Sequence, residues 1–255
     1  MKPFLYVLAF FRMILVFLGM VGFMLAYTLK SIYVKHTKSR ALKLREDYLK
    51  YWALPILNIH VTVKGAPVAS TALYVANHRS FSDPLVICKY LRAFVIAKAE
   101  VADYPIINKG AQLTGVIWIK REDKNSREAT RSTLVHTIQE GYNMLVFPEG
   151  TVGKLAATLP FRKGTFQEAA KHDILVVPIV IEYKSAKDLW IHPHFIKHYF
   201  AQFNKWKTEV KISFGDPITS NDGLLLAQKA EQWINEEKIN LRKDWSTVFD
   251  DGKTY

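Results

Sequence analysis

Apolar and polar positions divide the chain into a long apolar N-terminal segment and a region of short alternating elements. Runs rich in Val, Ile, Leu and Phe recur from residue 59 onward, with the length of buried strands. These runs are 59–63, 73–76, 94–97, 116–119, 144–147, 174–181 and 210–214. Helical spacing of apolar residues indicates helices over 126–140, 164–172 and 223–241. Alternating strands and helices predict an α/β fold with a mixed, largely parallel sheet flanked by helices.

The N-terminal segment, residues 3–29, carries one charge, Arg12. As a helix it would be about 40 Å long, against roughly 30 Å for the hydrocarbon core of a bilayer. We therefore predict a membrane-anchoring helical segment: either one spanning helix over roughly residues 10–29 or two shorter helices in one leaflet, with Arg12 near an interface. A cleaved signal peptide is the alternative, but it would need a shorter apolar run and a small-residue cleavage site.

The formal net charge of +12 indicates that the partners of the protein are anionic. From Lys30 to Lys50 the chain has seven Lys and Arg residues and two acids. Such a stretch stays on the cytoplasmic side of a membrane and faces anionic lipid. We expect a membrane anchor and basic juxtamembrane segment over residues 1–50, and one globular domain over 51–255 on the cytoplasmic side. Cys88 is the single cysteine, so no internal disulfide can form.

The first candidate for chemistry follows the predicted strand 73–76, where ligands bind in open α/β sheets. Here an imidazole, His78, precedes a carboxylate, Asp83, by five residues. A histidine oriented by a carboxylate can act as a general base on a hydroxyl, provided that residues 79–82 form a turn. Judged alone, the segment equally suits an ordinary strand-end histidine and a helix start with Asp83 as N-cap and Pro84 as first helical residue. The chain has no G-x-S-x-G motif, so direct attack by a substrate hydroxyl is the simplest scheme.

The second candidate follows the predicted strand 144–147 and reads Phe147-Pro148-Glu149-Gly150-Thr151. It precedes the helix over 164–172, whose start is flanked by Arg162 and Lys163 and so favours an anion. Glycine lets the backbone approach a ligand closely. Judged alone, Pro-Glu-Gly also fits an ordinary turn.

Together these motifs resemble the glycerolipid acyltransferase family, over roughly residues 70–185. The family's first motif is similar to Asn77-His78 with Asp83, its third to residues 147–151, and its fourth to residues 177–180. Lys98 and Arg121 stand at the separation of its phosphate-binding second motif. The chain departs from the pattern at Val101 and Asn108, which replace a leucine and a glycine, and at Val152, where arginine is common.

The resemblance implies that residues 51–255 form an acyltransferase domain. His78, oriented by Asp83, would take the proton of an acceptor hydroxyl as it attacks a thioester of coenzyme A or acyl carrier protein. We further infer, apart from the resemblance, that a backbone N–H near Gly150 or the following helix start stabilises the oxyanion. The substrate-binding residues would be Lys98, Arg121, Glu149, Gly150, Thr151, Arg162 and Lys163. The implied partners are membrane lipids and the acyl donor, with no metal or other cofactor. The implied acceptor is 1-acylglycerol-3-phosphate, and Val152 and Asn108 leave open a lysolipid built on an amino acid.

Three other kinds of protein fit part of the pattern. A non-catalytic lipid-binding module would also be basic and anchored, but it would not need His78 beside Asp83. A nucleic-acid-binding protein is not expected, because the sequence has no zinc-finger spacing and no RNP-type aromatic motif. A metal site is not expected either, since His192, His194 and His198 lack nearby Cys or acidic residues at ligand spacing.

Overall fold

The computed structural model describes residues 3–99, 105–120, 122–190, 192 and 194–245. Its strands form one seven-stranded sheet in the order β1-β7-β6-β2-β5-β3-β4. Neighbours are parallel except for the antiparallel pair β6 and β7, so the predicted mixed, largely parallel sheet is confirmed. The bounds are β1 Ile59–Lys64, β2 Leu73–Ala76, β3 Ala93–Lys98, β4 Val116–Ile119, β5 Asn143–Val146, β6 Val176–Tyr183 and β7 Thr208–Phe214.

The helices include the three that the sequence predicted, each within two residues at either end. The bounds are α1 Pro3–Ser31, α2 Lys38–Tyr48, α3 Leu54–Ile56, α4 Asp83–Cys88, α5 Pro105–Leu113, α6 Lys124–Gln139, α7 Gly164–Lys171, α8 Phe195–Phe203 and α9 Gly223–Arg242. A π-helical turn, Leu49–Ala53, joins α2 to α3, and a 3-10 turn, Ala186–Asp188, precedes α8.

Both faces of the sheet are covered, and β2 shows how alternation divides the two cores. Leu73 and Val75 pack with apolar side chains of α6, α7 and α9. Tyr74 and Ala76 point to the other face, where they join apolar side chains of α1, α3, α4 and α8. All four residues are buried, which makes β2 a central strand with its carboxyl end inside the protein.

The N-terminal segment is one continuous helix, α1, long and apolar enough to cross a membrane. Arg12 is buried against the rest of the protein. Its guanidinium donates to the carbonyls of Lys205 (2.8 Å) and Trp206 (2.7 Å), just beyond the C-terminal end of α8. Carbonyls there lack helical partners, so a cation satisfies them. On the outward face of α1, large apolar side chains such as Phe4, Leu18 and Leu29 are exposed.

Candidate active site

The first turn of the site begins with Asn77, whose side chain acts as an extension of the sheet. Its amide Nδ2 donates to the Ile181 carbonyl and its Oδ1 accepts from the Ile181 N–H, both at 2.9 Å. Ile181 belongs to β6, the neighbour of β2. Asn77 therefore fixes the direction in which the chain leaves β2 and fixes the position of His78 after it.

The His78 and Asp83 side chains meet, because residues 79–82 form the turn that contact requires. His78 Nδ1 lies 2.7 Å from Asp83 Oδ2. The same oxygen accepts the backbone N–H groups of Arg79 (2.5 Å) and Ser80 (2.9 Å). Asp83 is fully buried, whereas the His78 side chain is 18% exposed. With Nδ1 directed at the carboxylate, Nε2 is the ring nitrogen left to meet a substrate.

Asp83 does not cap α4, contrary to the alternative that its position before Pro84 suggested. It is the first residue of the helix, and the preceding N-cap residue, Ser82, makes no capping hydrogen bond through its side chain. The carboxylate turns back towards Arg79 and Ser80 because those two N–H groups and the imidazole converge on one oxygen.

The other Asp83 oxygen, Oδ1, accepts a hydrogen bond from the Tyr183 hydroxyl at 2.8 Å. Burial, followed by the charge of Asp83, raises the pKa of Tyr183 well above its usual value, so the phenol keeps the proton that it donates. The Ser82 hydroxyl lies 2.9 Å from the same phenol and accepts from the Gln202 amide at 3.0 Å. The sequence analysis missed Tyr183, which lies 100 residues from Asp83 at the end of β6.

Glu149 holds the backbone of His78. Its Oε1 accepts the His78 N–H at 2.7 Å and its Oε2 accepts the Leu159 N–H at 2.8 Å. On the other side of the same residue, the Gly153 N–H donates to the His78 carbonyl at 2.8 Å. Glu149 is buried and both of its oxygens are engaged by backbone donors. Glu149 was expected to bind substrate, but its contacts show that it positions the backbone of His78.

The imidazole of His78 also stacks on the Phe147 ring, with 4.3 Å between centroids. Phe147 lines a pocket of about 440 Å³ at the carboxyl ends of β3, β4 and β5 and the starts of α6 and α7. The charged residues of its lining are Glu122, Arg127, Arg131 and Arg162. Arg127 and Arg131 were missed, although their spacing of four on a predicted helix puts them on one row of its surface.

Gly150 and Arg162 are in contact at the edge of this pocket. Gly150 has φ +70°, and a Cβ built on it would lie 2.5 Å from Arg162 Nε. The Gly150 N–H donates to the Phe147 carbonyl at 3.0 Å, whereas Gly164 and Thr165, at the start of α7, line the pocket.

The remaining predicted binding residues either do not line the pocket or have side chains outside the described part of the chain. Thr151 and Lys163 are exposed and are not among the residues that line the pocket. Lys98 is the last residue of β3, but its side chain lies outside the described structure, as does Arg121. Val152 stands where the resemblance expects an arginine.

Of the histidines considered as metal ligands, His198 is buried and packs against aromatic rings. Its ring centroid lies 4.7 Å from that of Trp190 and 5.4 Å from that of Phe81. Burial, followed by the charge of His192, lowers the pKa of His198 to about 4. Among the described residues, no group of three or more His, Cys, Asp and Glu side chains could hold a metal ion.

Comparison with known proteins agrees with this geometry. The acyltransferase family model matches residues 59–182, from β1 to β6, and so includes His78, Asp83 and Glu149. This central part of the chain is similar to glycerolipid acyltransferases. The crystal structure of the 1-acyl-sn-glycerophosphate (LPA) acyltransferase PlsC from Thermotoga maritima shares the fold, with a TM-score of 0.69 at 21% identity over 96% of this chain and 98% of that one.

Two curated proteins that this chain resembles are named for different acceptor lipids. A lyso-ornithine lipid O-acyltransferase of Rhodobacter capsulatus is 30% identical over 132 residues, and the match covers 50% of this chain and 48% of that protein. The chain thus spans about half the length of that relative. A 1-acyl-sn-glycerol-3-phosphate acyltransferase of Neisseria gonorrhoeae is 29% identical over 194 residues, covering 71% and 76%. Such relatives, together with the apolar helix α1, are consistent with membrane association.

Proposed function

We propose that this protein transfers a fatty acyl group from a thioester of coenzyme A or acyl carrier protein to the free hydroxyl of a lysolipid. The proposed acceptor is 1-acylglycerol-3-phosphate and the product is phosphatidic acid. One observation carries the proposal: the His78–Asp83 pair, with 2.7 Å between Nδ1 and Oδ2, lies beside a pocket lined by three arginines.

The geometry supports a direct transfer. As the acceptor oxygen attacks the thioester carbonyl, its proton passes to His78 Nε2, and Asp83 stabilises the imidazolium that forms. The tetrahedral intermediate then collapses, and the departing thiolate takes the proton from Nε2. One O–H bond and one C–S bond break while one C–O bond and one S–H bond form. His78 is restored without a covalent intermediate on the protein.

The pocket supports an anionic headgroup. Arg127, Arg131 and Arg162 share the lining with Glu122, so basic side chains outnumber acidic ones there. A guanidinium can bind two phosphate oxygens at once, which suits a phosphate monoester. Lys98 and Arg121, as implied by the family's second motif, remain part of this proposal as further headgroup ligands.

A second acceptor, a lysolipid built on an amino acid, is favoured by Glu122. A headgroup that carries both an ammonium and a carboxylate would find an acidic partner in Glu122 and basic partners in Arg127 and Arg131. The Rhodobacter capsulatus relative is named for such a lipid.

The same proposal places the protein at a membrane. Both lipids of the reaction partition into a bilayer, and the apolar outward face of α1 would keep the site next to them. The basic stretch from Lys30 to Lys50 supports a catalytic domain on the cytoplasmic side.

The test uses purified protein with oleoyl thioesters of coenzyme A and acyl carrier protein, and with 1-acylglycerol-3-phosphate or lyso-ornithine lipid as acceptor. His78→Ala should lose at least ~10²-fold in rate. His136→Ala, which changes an exposed histidine of α6, is the matched control and should keep the wild-type rate. Full transfer by His78→Ala would refute the mechanism. Wild-type protein that acylates neither lysolipid would refute the function, and a preference for lyso-ornithine lipid would select the second acceptor.

A further inference from the structure

A group of charged side chains is buried beneath the turn that carries His78. Its members come from four separate parts of the chain: Arg79, Glu149, Glu182 and Lys238 are buried, and Arg242 is half-buried. Arg79 and Glu182 are the best paired: an Arg79 nitrogen, Nη2, lies 3.2 Å from Glu182 Oε2. Arg79 Nη1 also donates to the Gly153 carbonyl (2.9 Å) and the Leu155 carbonyl (2.7 Å). The Arg79–Glu182 pair therefore holds the loop that follows Thr151.

Lys238 is the member of this group whose burial needs an explanation. It lies on α9, outside the region matched by the family model, and is 1% exposed. Within the described residues its ammonium has no hydrogen-bond partner. Burying an ammonium without a partner is costly, so the position needs a reason other than packing. Its attractive charges are Glu182 and Glu149, and its repulsive ones are Arg79 and Arg242.

Glu149 is one of the two carboxylates whose charge attracts Lys238. Its two oxygens accept one backbone N–H each, from His78 and from Leu159. A protonated carboxyl would carry an O–H on one of these oxygens and would face one backbone donor with another. One of the two hydrogen bonds would then be lost. Glu149 must therefore be ionised to hold His78 and Leu159 together.

Helix α9, which carries Lys238, also holds the loop next to Leu159. One turn earlier on α9, the Asn235 Oδ1 accepts the Thr158 N–H at 2.9 Å, and its Nδ2 donates to the Thr158 hydroxyl at 3.1 Å. Residues 235 and 238 share one face of a helix. One face of α9 thus carries both the residue that holds the loop before Leu159 and the buried ammonium of Lys238.

We propose that Lys238 is a positioning residue for acyl transfer: its buried ammonium keeps Glu149 ionised, and the ionised carboxylate holds the His78 backbone so that the imidazole meets Asp83. The proposal rests on the proposed function, in which His78 is the general base. It assigns a role to a lysine 160 positions after His78 that touches neither substrate nor the reacting atoms.

The direction of the pH effect follows from the charges around Glu149. Burial raises the pKa of Glu149, while the N–H donors of His78 and Leu159 and the charges of Lys238 and His78 lower it. Burial, followed by the charge of Arg79, lowers the pKa of Lys238 to about 8, so Lys238 is charged at the acidic pH values at which a carboxyl titrates. Removing that charge raises the pKa of Glu149 further. The enzyme should then lose activity at a higher pH as the pH falls.

The test is the pH dependence of kcat/KM for Lys238→Met, with Lys229→Met as matched control on an exposed position of α9. We expect Lys238→Met to move the acid limb of kcat/KM to higher pH by about one unit, which is a loss of about tenfold in kcat/KM at any pH well down that limb, and to match wild type within about threefold at pH 8.5. Lys238→Arg keeps the positive charge, so its acid limb of kcat/KM should match that of wild type. Lys229→Met should leave it unchanged.

The proposal is overturned if Lys238→Met keeps the wild-type profile, or if its loss is the same at every pH, as a purely structural role would give. If Lys238→Met does not fold, Lys238→Gln and Lys238→Arg are compared, and identical profiles for these two would also overturn it. In a Glu149→Gln background, adding Lys238→Met should cause no further pH-dependent loss, and an undiminished shift there would contradict action through Glu149. Failure of the proposed function looks different, because wild type and Lys229→Met would then transfer no acyl group at any pH.

Discussion

Replacing Asp83 with asparagine separates the charge of this residue from its hydrogen bonds. The amide oxygen can take the place of Oδ2, where it would still accept His78 Nδ1–H and the N–H groups of Arg79 and Ser80. The amide nitrogen then faces Tyr183, whose hydroxyl can accept from it and donate to Ser82 Oγ, 2.9 Å away. The turn and the tautomer of His78 should therefore survive in Asp83→Asn, and only the negative charge is lost.

The size of the effect follows from that charge. At an effective dielectric constant of about 20, unit charges about 4 Å apart attract by about 4 kcal/mol. If half to all of the imidazolium charge has formed in the transition state, about 2–4 kcal/mol of stabilisation is lost. That corresponds to a decrease in kcat of roughly 30- to 1000-fold. KM should change little, because Asp83 is fully buried behind His78.

The assay compares initial rates at saturating thioester and lysolipid with thermal unfolding of the same preparations. Asp83→Asn should unfold close to wild type. Asp83→Ala should lose activity and also unfold at a lower temperature, since four donors lose their acceptor. Asp83→Asn with a kcat within threefold of wild type would refute the idea that the Asp83 charge stabilises the imidazolium.

Two further substitutions test residues outside the His78–Asp83 pair, one at the edge of the pocket and one on α1. Gly150→Ala introduces strain at φ +70° and a Cβ that meets Arg162, so it should destabilise the fold by ~1–2 kcal/mol and raise KM for a phosphate acceptor. Gly141→Ala, at φ +88° with open space around it, is the control, and an equal rise in KM there would contradict the Arg162 contact. Arg12→Leu should cost roughly 2–3 kcal/mol by leaving the Lys205 and Trp206 carbonyls unpaired. Thermal unfolding in detergent measures it against Lys30→Leu, and equal stability of the two variants would count against that role.

The sheet and the His78–Asp83 pair could be predicted because both depend on short stretches of sequence. Strands such as β2 are recognisable from continuous apolar runs, and the five-residue spacing of the pair limits how the intervening turn can close. The family motifs then added the second loop with Glu149 and Gly150. The motifs could not predict the role of Glu149, because its partners are backbone N–H groups.

The residues that were missed lie far apart in sequence or have the wrong polarity for their environment. Tyr183 reaches Asp83 from the end of β6, and Arg12 reaches carbonyls more than 190 residues away. Lys238 lies in a helix whose spacing predicts a polar outer face, yet it is buried. Long-range contacts of buried charges leave no periodic signal in a single sequence.

The central claim is direct attack by a lysolipid hydroxyl with His78 as base, and thiol release measured with and without acceptor tests it most directly. The wild-type enzyme should release one thiol for each ester formed, with no burst of thiol when lysolipid is omitted, and His78→Ala should slow both signals together by at least ~10²-fold. A stoichiometric burst without acceptor, or an undiminished rate in His78→Ala, would contradict it.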